Sequence, residues 1–379
     1  MSEIKLQQGT PAQVGLCELR WNRVLASAAE LCRSRQIPAI SLQVQKQGWT
    51  TGPHHFGTQN PGSQTPIEDH TPFLVASLTK PMVAAAILLL VERGELALNQ
   101  PVHEFLPELR DAAKRSMTIK HLLTHTSGLP DMLPDNEQLR KTSAPLSQFV
   151  TKTCQVKLNF PPGRNAQYQS MGYALLGAII EAVSGTSCRN FLQEELFAPL
   201  QMRDSWLGLP ADPALQQRVA VLSLSEPMQS EVGWNWNSRY WRELGAPWGG
   251  VFSTASDLSR FLRMMLLGGM NGKGHGLLSP ATLQDAVGNR LHDYPSIPDA
   301  ERRTRGWGLG WRLNWKDHRF CFSDLLPAET VGHWGATGTL FWMDRRREIG
   351  AVLLGTLPLN DHVSPLTKLS NMIAAALIE

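Results

Sequence analysis

The chain has 379 residues, more than one compact core usually holds, so two subdomains or one large enzyme domain is expected. Hydrophobic residues make up 42% and charged residues 18%, a globular composition with charge a little under the usual quarter. The 36 basic and 33 acidic residues leave a net charge of +3, too balanced to argue for a nucleic-acid or anionic-membrane partner.

Five cysteines occur, Cys17, Cys32, Cys154, Cys188 and Cys321. The number is odd, and neither a C-x-x-C pair nor a Cys/His ligand spacing is present, which argues against a disulfide framework or a zinc site. No metal and no cofactor is expected. The N-terminus, MSEIKLQQGTPAQVG, has no apolar core and no small-residue cleavage site. A cytoplasmic, reducing location is therefore expected.

In chain order, residues 13–35 place Leu16, Leu19, Val24, Leu25, Ala28 and Leu31 at helical spacing. AISLQVQKQGWTTGPHHFG alternates around Gly48 and predicts a β-hairpin over 39–57. VASLTKPMVAAAILLL follows, from Val75. Its apolar run, Met82–Val91, is about half of the ~20 residues a spanning helix needs, so no membrane span is expected there or elsewhere. It predicts a buried helix from about 77 to 94, stopped near Gly94.

From about 96 to 290 the signals are mostly helical. MTIKHLLTHTSGLP predicts a short helix stopped by Gly128 and Pro130, with His125 holding the turn. Leu175, Leu176, Ile179, Ile180 and Val183 predict a helix over 170–184. Thr254 and Asp257 form a capping pattern before LSRFLRMMLL, and Ser279-Pro280 precedes ATLQDAV. The glycine-rich GGMNGKGHG follows no strand and matches no phosphate loop, so it is expected to be a surface connector. GLGWRLNW, GTLFWMD and EIGAVLLGTL predict successive strands, with Arg345–Arg347 in a solvated turn, and SPLTKLSNMIAAALIE a final helix. Strand-bearing pieces at both termini pair most simply into one antiparallel sheet. The expected organisation is a discontinuous sheet domain, 1–95 with 296–379, and a mostly helical domain, 96–295.

Ser77 and Lys80 stand three residues apart on the predicted helix and share a face. A serine hydroxyl in a first helical turn meets unpaired backbone N–H groups that favour developing negative charge. It becomes a nucleophile when a base takes its proton, and a Ser-Lys pair is one solution. The spacing alone is weak: roughly one or two S-x-x-K matches arise by chance in a chain this long, and Ser2-Glu3-Ile4-Lys5 is such a match. Pro81 narrows it, because proline is tolerated only in the first turn and fixes the helix start near Ser77.

SLTK resembles the nucleophile motif of the serine β-lactamase and penicillin-binding-protein superfamily. Two further segments extend the resemblance. PPGRNAQYQSMGYALLGAIIEAVSG carries Pro162-Gly163 and then Tyr168-Gln169-Ser170, where the family has Tyr-x-Asn. VGHWGATGT supplies His333-Trp334-Gly335, where the family has K-T-G or H-x-G. HLLTHTSGLP, GGVFSTASDLSRF and GWGLGW are also similar to family segments. The resemblance runs from about residue 20 to the C-terminus and is nearest the class C β-lactamase-like branch, which includes family VIII carboxylesterases, D-amino-acid peptidases and acyltransferases.

The resemblance implies the β-lactamase/transpeptidase-like α/β (α+β) fold, an antiparallel sheet flanked by helices with an inserted helical domain, and a site in the cleft between them. It implies that Ser77 forms an acyl-enzyme and that Lys80 and Tyr168 share proton transfer, either one serving as base. Both roles call for lowered pKa values. The N–H groups of Ser77 and Ala336 are the implied oxyanion hole. Ser170, His333, Trp334 and Gly335 are the implied substrate-binding residues, Gly335 by letting the strand approach without a side chain.

Two departures matter. Ser170 replaces the family's Asn and lacks its amide N–H₂, and His333 replaces the commoner Lys, removing a fixed cation at neutral pH. Both shift weight from β-lactams and peptides toward neutral esters. Trp234, Trp236, Trp241 and Trp248 lie within fifteen residues. They fit the wall of an apolar acyl pocket, with Trp248 foremost, or else a core aromatic cluster or oligomer contact. The expected function is a serine hydrolase, a carboxylesterase first, with a small-molecule ester or amide as substrate. A β-lactamase or D-amino-acid peptidase, or a non-catalytic binding or scaffold member of the fold, is the alternative.

Overall fold

A computed structural model describes residues 6–229, 233–267, 276–360 and 362–378. Chain order brings the two termini onto one sheet. Its strands are β1 (Gln7–Gln8), β2 (Ala39–Lys46), β3 (Trp49–Thr50), β4 (His54–Gly57), β8 (Arg312–Leu313), β9 (Val331–Gly335), β10 (Thr339–Asp344) and β11 (Ile349–Gly355). They lie in the order β1-β3-β2-β11-β10-β9-β8, with β4 also on β2. Every pairing is antiparallel except β1 with β3. The predicted hairpin is β2 with β3 and β4, and Gln47 and Gly48 both take positive φ at its turn, the conformation a two-residue hairpin needs. A second, smaller sheet joins β5 (Phe73–Leu74), β6 (Trp206–Leu207) and β7 (Val251–Ser253) in the order β5-β7-β6.

The main sheet is covered on both faces, so its strands alternate between two cores. Ile40, Leu42 and Val44 of β2, Ile349, Ala351 and Leu353 of β11, and Leu340 and Trp342 of β10 face one layer. There they meet α1 (Glu18–Arg33) and the C-terminal helix Pro365–Ala376, through Trp21, Val24, Leu369 and Ile373. Phe341, Met343, Val352 and Leu354 face the other way, into the core shared with the helical block. GLGWRLNW, predicted as a strand, pairs only at Arg312–Leu313, because Gly308 and Gly310 shape the preceding turn and Gly310 takes φ +81.

The helix α2 (Thr79–Glu92) runs through the middle of that shared core and is buried from Thr79 to Leu90. Its apolar residues surround it, as expected of a helix buried on all sides. Among the described residues no single helix is long and apolar enough to cross a membrane. Beside α2 lies α6 (Met171–Ser184), against which α3 (Ile119–Leu123) and α5 (Leu146–Gln155) pack, with α4 (Asn136–Lys141) in the same helical block. Thr254 caps the helix Ala255–Leu266 by accepting from Asp257 N–H at 3.2 Å. The Ser2–Lys5 match and the expected connector at 268–276, apart from Gly276, lie outside the described residues.

Candidate active site

Ser77 sits on a ledge fixed from two sides. A 3-10 turn, Ala76–Leu78, runs directly into α2. Ala76 takes φ +47, a left-handed conformation that costs a non-glycine residue roughly 1–2 kcal/mol. Surrounding bonds hold it there. Val75 N–H donates to Val251 O at 3.0 Å and Thr79 Oγ1 accepts from Val251 N–H at 3.0 Å, tying the ledge to β7. From the main sheet, Thr337 Oγ1 donates to Leu74 O at 2.6 Å and Thr339 Oγ1 to Val75 O at 2.9 Å. Gly335 ends β9 against the Val75 carbonyl, and a methyl group on it would collide with that oxygen. Its glycine is thus required by the packing of β9 against the ledge itself.

Lys80 is fully buried and points back at the ledge. Its Nζ donates to Ser77 Oγ at 3.1 Å, Ser170 Oγ at 3.3 Å and the Trp248 carbonyl at 2.8 Å. It also lies 4.8 Å from the ring centre of Tyr168 and 5.5 Å from that of Tyr173. Three oxygen acceptors and two ring faces satisfy the ammonium, but no carboxylate among the described residues reaches ion-pair distance of it. Burial therefore pushes its pKa down to about 7, with Asp131 acting in the opposite direction.

Tyr168 comes from an irregular segment just before α6, and its hydroxyl donates to Ser77 Oγ at 2.7 Å. Burial raises its pKa, and the charge of Asp131 raises it further. This corrects the expectation of a lowered value at both candidate bases: only Lys80 is shifted toward neutrality. Ser170, at the N-terminus of α6, is held by its own N–H, which donates to Asp131 O at 3.1 Å.

β9 contributes His333 but not Trp334. His333 opposes Phe341 and shares its face, toward the helical block, with its ring centre 6.0 Å from that of Tyr168. Its Nδ1 is bonded to Trp334 O at 2.7 Å, so that nitrogen carries the proton, and Nε2 has no partner. Burial holds the pKa well below the usual imidazole value, so the ring is neutral and supplies no fixed cation. Trp334 opposes Leu340 and faces the other core layer, the one that holds Trp21 and Trp342, with its ring centre 6.3 Å from that of Phe320. The expectation that it binds substrate is corrected by strand alternation: adjacent residues cannot share a face. Ala336 lies just beyond β9, exposed in the turn that follows the Val75–Gly335 contact.

Trp248 enters the site through its backbone. Its carbonyl anchors Lys80, while its indole is buried against Phe149, at 5.4 Å, and Trp241, at 6.4 Å. The expected acyl-pocket wall is corrected to a core aromatic pack. Sequence reasoning did not find Trp307, stacked on Tyr168 at 5.9 Å, or Asp131, whose Oδ1 is buried without a partner. GWGLGW was a signal for the first; nothing marked the second.

The sequence model of the Beta-lactamase family matches residues 22–367. The chain is 33% identical over 297 residues to penicillin-binding protein 4 of Amycolatopsis lactamdurans, spanning 75% of this chain and 71% of that protein. It is 30% identical over 366 residues to esterase EstB of Burkholderia gladioli, spanning 88% and 90%. A penicillin-binding protein homologue from Caulobacter crescentus superposes with a TM-score of 0.77 at 23% identity, over 96% of this chain and 99% of that one. EstCE1, described as a hydrolase with promiscuous acyltransferase activity, gives 0.75 at 18% identity, over 94% and 98%. At those identities the two structures speak to the fold alone. Fold and sequence together define a serine hydrolase class built on the β-lactamase scaffold. Within it, the chain belongs to the Beta-lactamase family.

Proposed function

We propose that the protein is a carboxylesterase that works through an acyl-enzyme on Ser77. The observation that carries this is the convergence of Lys80 Nζ and Tyr168 Oη on one oxygen, Ser77 Oγ, with Lys80 buried so that its pKa falls to about 7 and a substantial fraction is neutral near pH 7. Neutral Lys80 takes the Ser77 proton as Oγ bonds to the ester carbonyl carbon. The carbonyl electron pair moves onto oxygen, where the N–H groups of Ser77 and Ala336 stabilise it. Collapse expels the alkoxide, which takes a proton from Tyr168 as Lys80 resupplies the phenol. A water then attacks the acyl-enzyme, its proton passing to Lys80, and Ser77 is regenerated by the reverse relay. Because its pKa is raised, Tyr168 acts here as a neutral phenol that hands protons on, and Lys80 is the base.

The ester preference rests on what stands around the lysine. Ser170 offers one hydroxyl where an amide would bind a peptide-like carbonyl. The neutral His333 offers no cation for a carboxylate. EstB, similar over nearly the whole chain, is named an esterase. The match to penicillin-binding protein 4 supports a second reading, an acyl donor of the penicillin or peptide type. A fluorophosphonate should label Ser77, located by mass spectrometry of the modified peptide, and Ser77→Ala should abolish the label. Nitrophenyl esters of short and long acyl chains, run beside nitrocefin, then order the substrates. A higher kcat/KM for nitrocefin than for every ester would favour the second reading.

A further inference from the structure

Tyr168 lies on a stretch, 163–169, that has no helix or strand of its own. Its hydroxyl must nonetheless stay within hydrogen-bond reach of Ser77. The neighbouring turn, Thr124–Ser127, is entirely buried although every residue in it is polar. His125 is its centre. It takes φ +60, a conformation uncommon outside glycine, although Asn, Asp and His enter it more readily than other residues. From that position it grips the chain on both sides of Tyr168. Gln167 N–H donates to the His125 carbonyl at 2.9 Å, and Gln169 N–H donates to His125 Nδ1 at 3.1 Å. The imidazole also lies 4.9 Å from the Tyr168 ring and 4.1 Å from Trp307, which stacks on Tyr168 from 5.9 Å at 23°.

His125 makes no hydrogen bond to Ser77 or Lys80, so it is not placed to touch the reacting atoms. Nδ1 accepts, so the ring proton sits on Nε2, and that N–H has no hydrogen-bond acceptor. A protonated ring would have no lone pair left for Gln169. Burial, with Lys80 and His333 nearby, keeps the pKa far below the usual value, so the acceptor is permanent across the working pH range. A buried donor left without an acceptor costs stability. The arrangement suits holding a single side chain at one angle, where a displacement near 1 Å can cost about a hundredfold in rate.

We infer that His125 is the positioning residue for Tyr168: its carbonyl and Nδ1 clamp the residues on either side, and its ring with Trp307 sets the angle of the phenol toward Ser77. This rests on the acyl-enzyme reading and sharpens it.

The test is a double-mutant cycle on the acylation of Ser77, read as kcat/KM for an alkyl ester, whose alkoxide needs the Tyr168 proton to leave. His125→Asn tolerates the left-handed backbone and offers a carbonyl acceptor but removes the ring. His125→Phe keeps a ring and removes the acceptor. Each should slow acylation about 10–100-fold while KM stays within about threefold. In a Tyr168→Phe background neither should slow it further, because the hydroxyl being aimed is gone. Equal losses in both backgrounds, or no loss in either, would overturn the inference. His125→Asn carries the result if His125→Phe fails to fold, and Trp307→Phe, expected to show the same dependence on Tyr168 at smaller size, carries it if both fail. If a fluorophosphonate does not label Ser77 of the unaltered protein, the acyl-enzyme reading itself fails and the inference falls with it.

Discussion

Lys80 and Arg140 are both buried cations, and Asp131 acts on each by raising its pKa. Neither has a carboxylate within ion-pair distance among the described residues. Their surroundings differ. Lys80 meets three oxygens, of Ser77, Ser170 and Trp248. Arg140 lies between two indoles, 4.4 Å from the Trp234 ring centre and 4.5 Å from that of Trp241, with Nη2 on Met132 Sδ at 3.6 Å. Burial brings Lys80 to about 7 and Arg140 only to about 10. The same physical pressure yields a group that can exchange a proton near neutrality and one that stays charged. Burial alone does not make a base; burial of an amine beside a nucleophile does.

The hardest way to break that contrast is to exchange the chemistry. Lys80→Arg keeps a cation but cannot give up its proton, and it should lower kcat/KM by about a thousandfold. A variant with more than a tenth of the original activity would remove Lys80 from the role of base. The pH profile tests the same point in the unaltered protein. Protonated Lys80 has no lone pair, so kcat/KM should fall about tenfold per unit below pH ~7 and level off above it. An acid limb near pH 4–5 would assign the base to a carboxylate instead.

Stability should carry the mark of Lys80 too. Its folded pKa lies below the unfolded value of about 10.4. Between pH 7 and that value the unfolded chain binds the extra proton, so stability rises with pH across this window and is flat below and above it. Lys80→Met removes the penalty, which is on the order of a few kcal/mol at pH 7. Thermal unfolding at pH 7 should move up by several degrees, and the rise in Tm between pH 7 and 10 should shrink. An unchanged slope would mean that Lys80 is not the group that titrates there.

These differences explain which parts of the molecule could be read from sequence. The long elements declared themselves by pattern and length: α1 by apolar spacing, β2 by alternation, and α2 and β11 as unbroken apolar runs. The small sheet β5-β7-β6 did not, because strands of two or three residues have no period to show. Within the site, the Ser77–Lys80 spacing and the Tyr168 motif marked side chains that the fold brings together. Trp248 was noticed for its indole, yet it meets Lys80 through its carbonyl, a group every residue owns. Trp334 was carried along with His333 by adjacency in a motif, although a strand turns neighbours to opposite faces. The direction of the Tyr168 shift depends on how deeply the ring is enclosed, and only the assembled layers determine that.

Arg140 is the other arm of the comparison and should respond in the opposite way. Arg140→Met keeps the length and apolar bulk but removes the charge from between two rings. It should cost about 1–2 kcal/mol of stability, measured by denaturant unfolding, with kcat/KM within about fivefold and the acid limb unmoved. A loss of activity as large as that of Lys80→Arg would make Arg140 part of the chemistry and dissolve the distinction.

The smallest expected effect belongs to the residue that touches both cations' surroundings. Trp248 lends its carbonyl to Lys80 and its indole to the stack that reaches Arg140 through Trp241. Its Nε1–H is buried and donates to nothing, so Trp248→Phe loses ring area but no hydrogen bond. The backbone acceptor persists in any residue, provided the segment keeps its place. We expect a fall of about 1–2 kcal/mol in stability from the void left by the smaller ring, and kcat within about threefold for short and long esters alike. A selective loss with one acyl length would show that the indole reads the acyl chain after all, and the wall that the sequence suggested would be restored at that position.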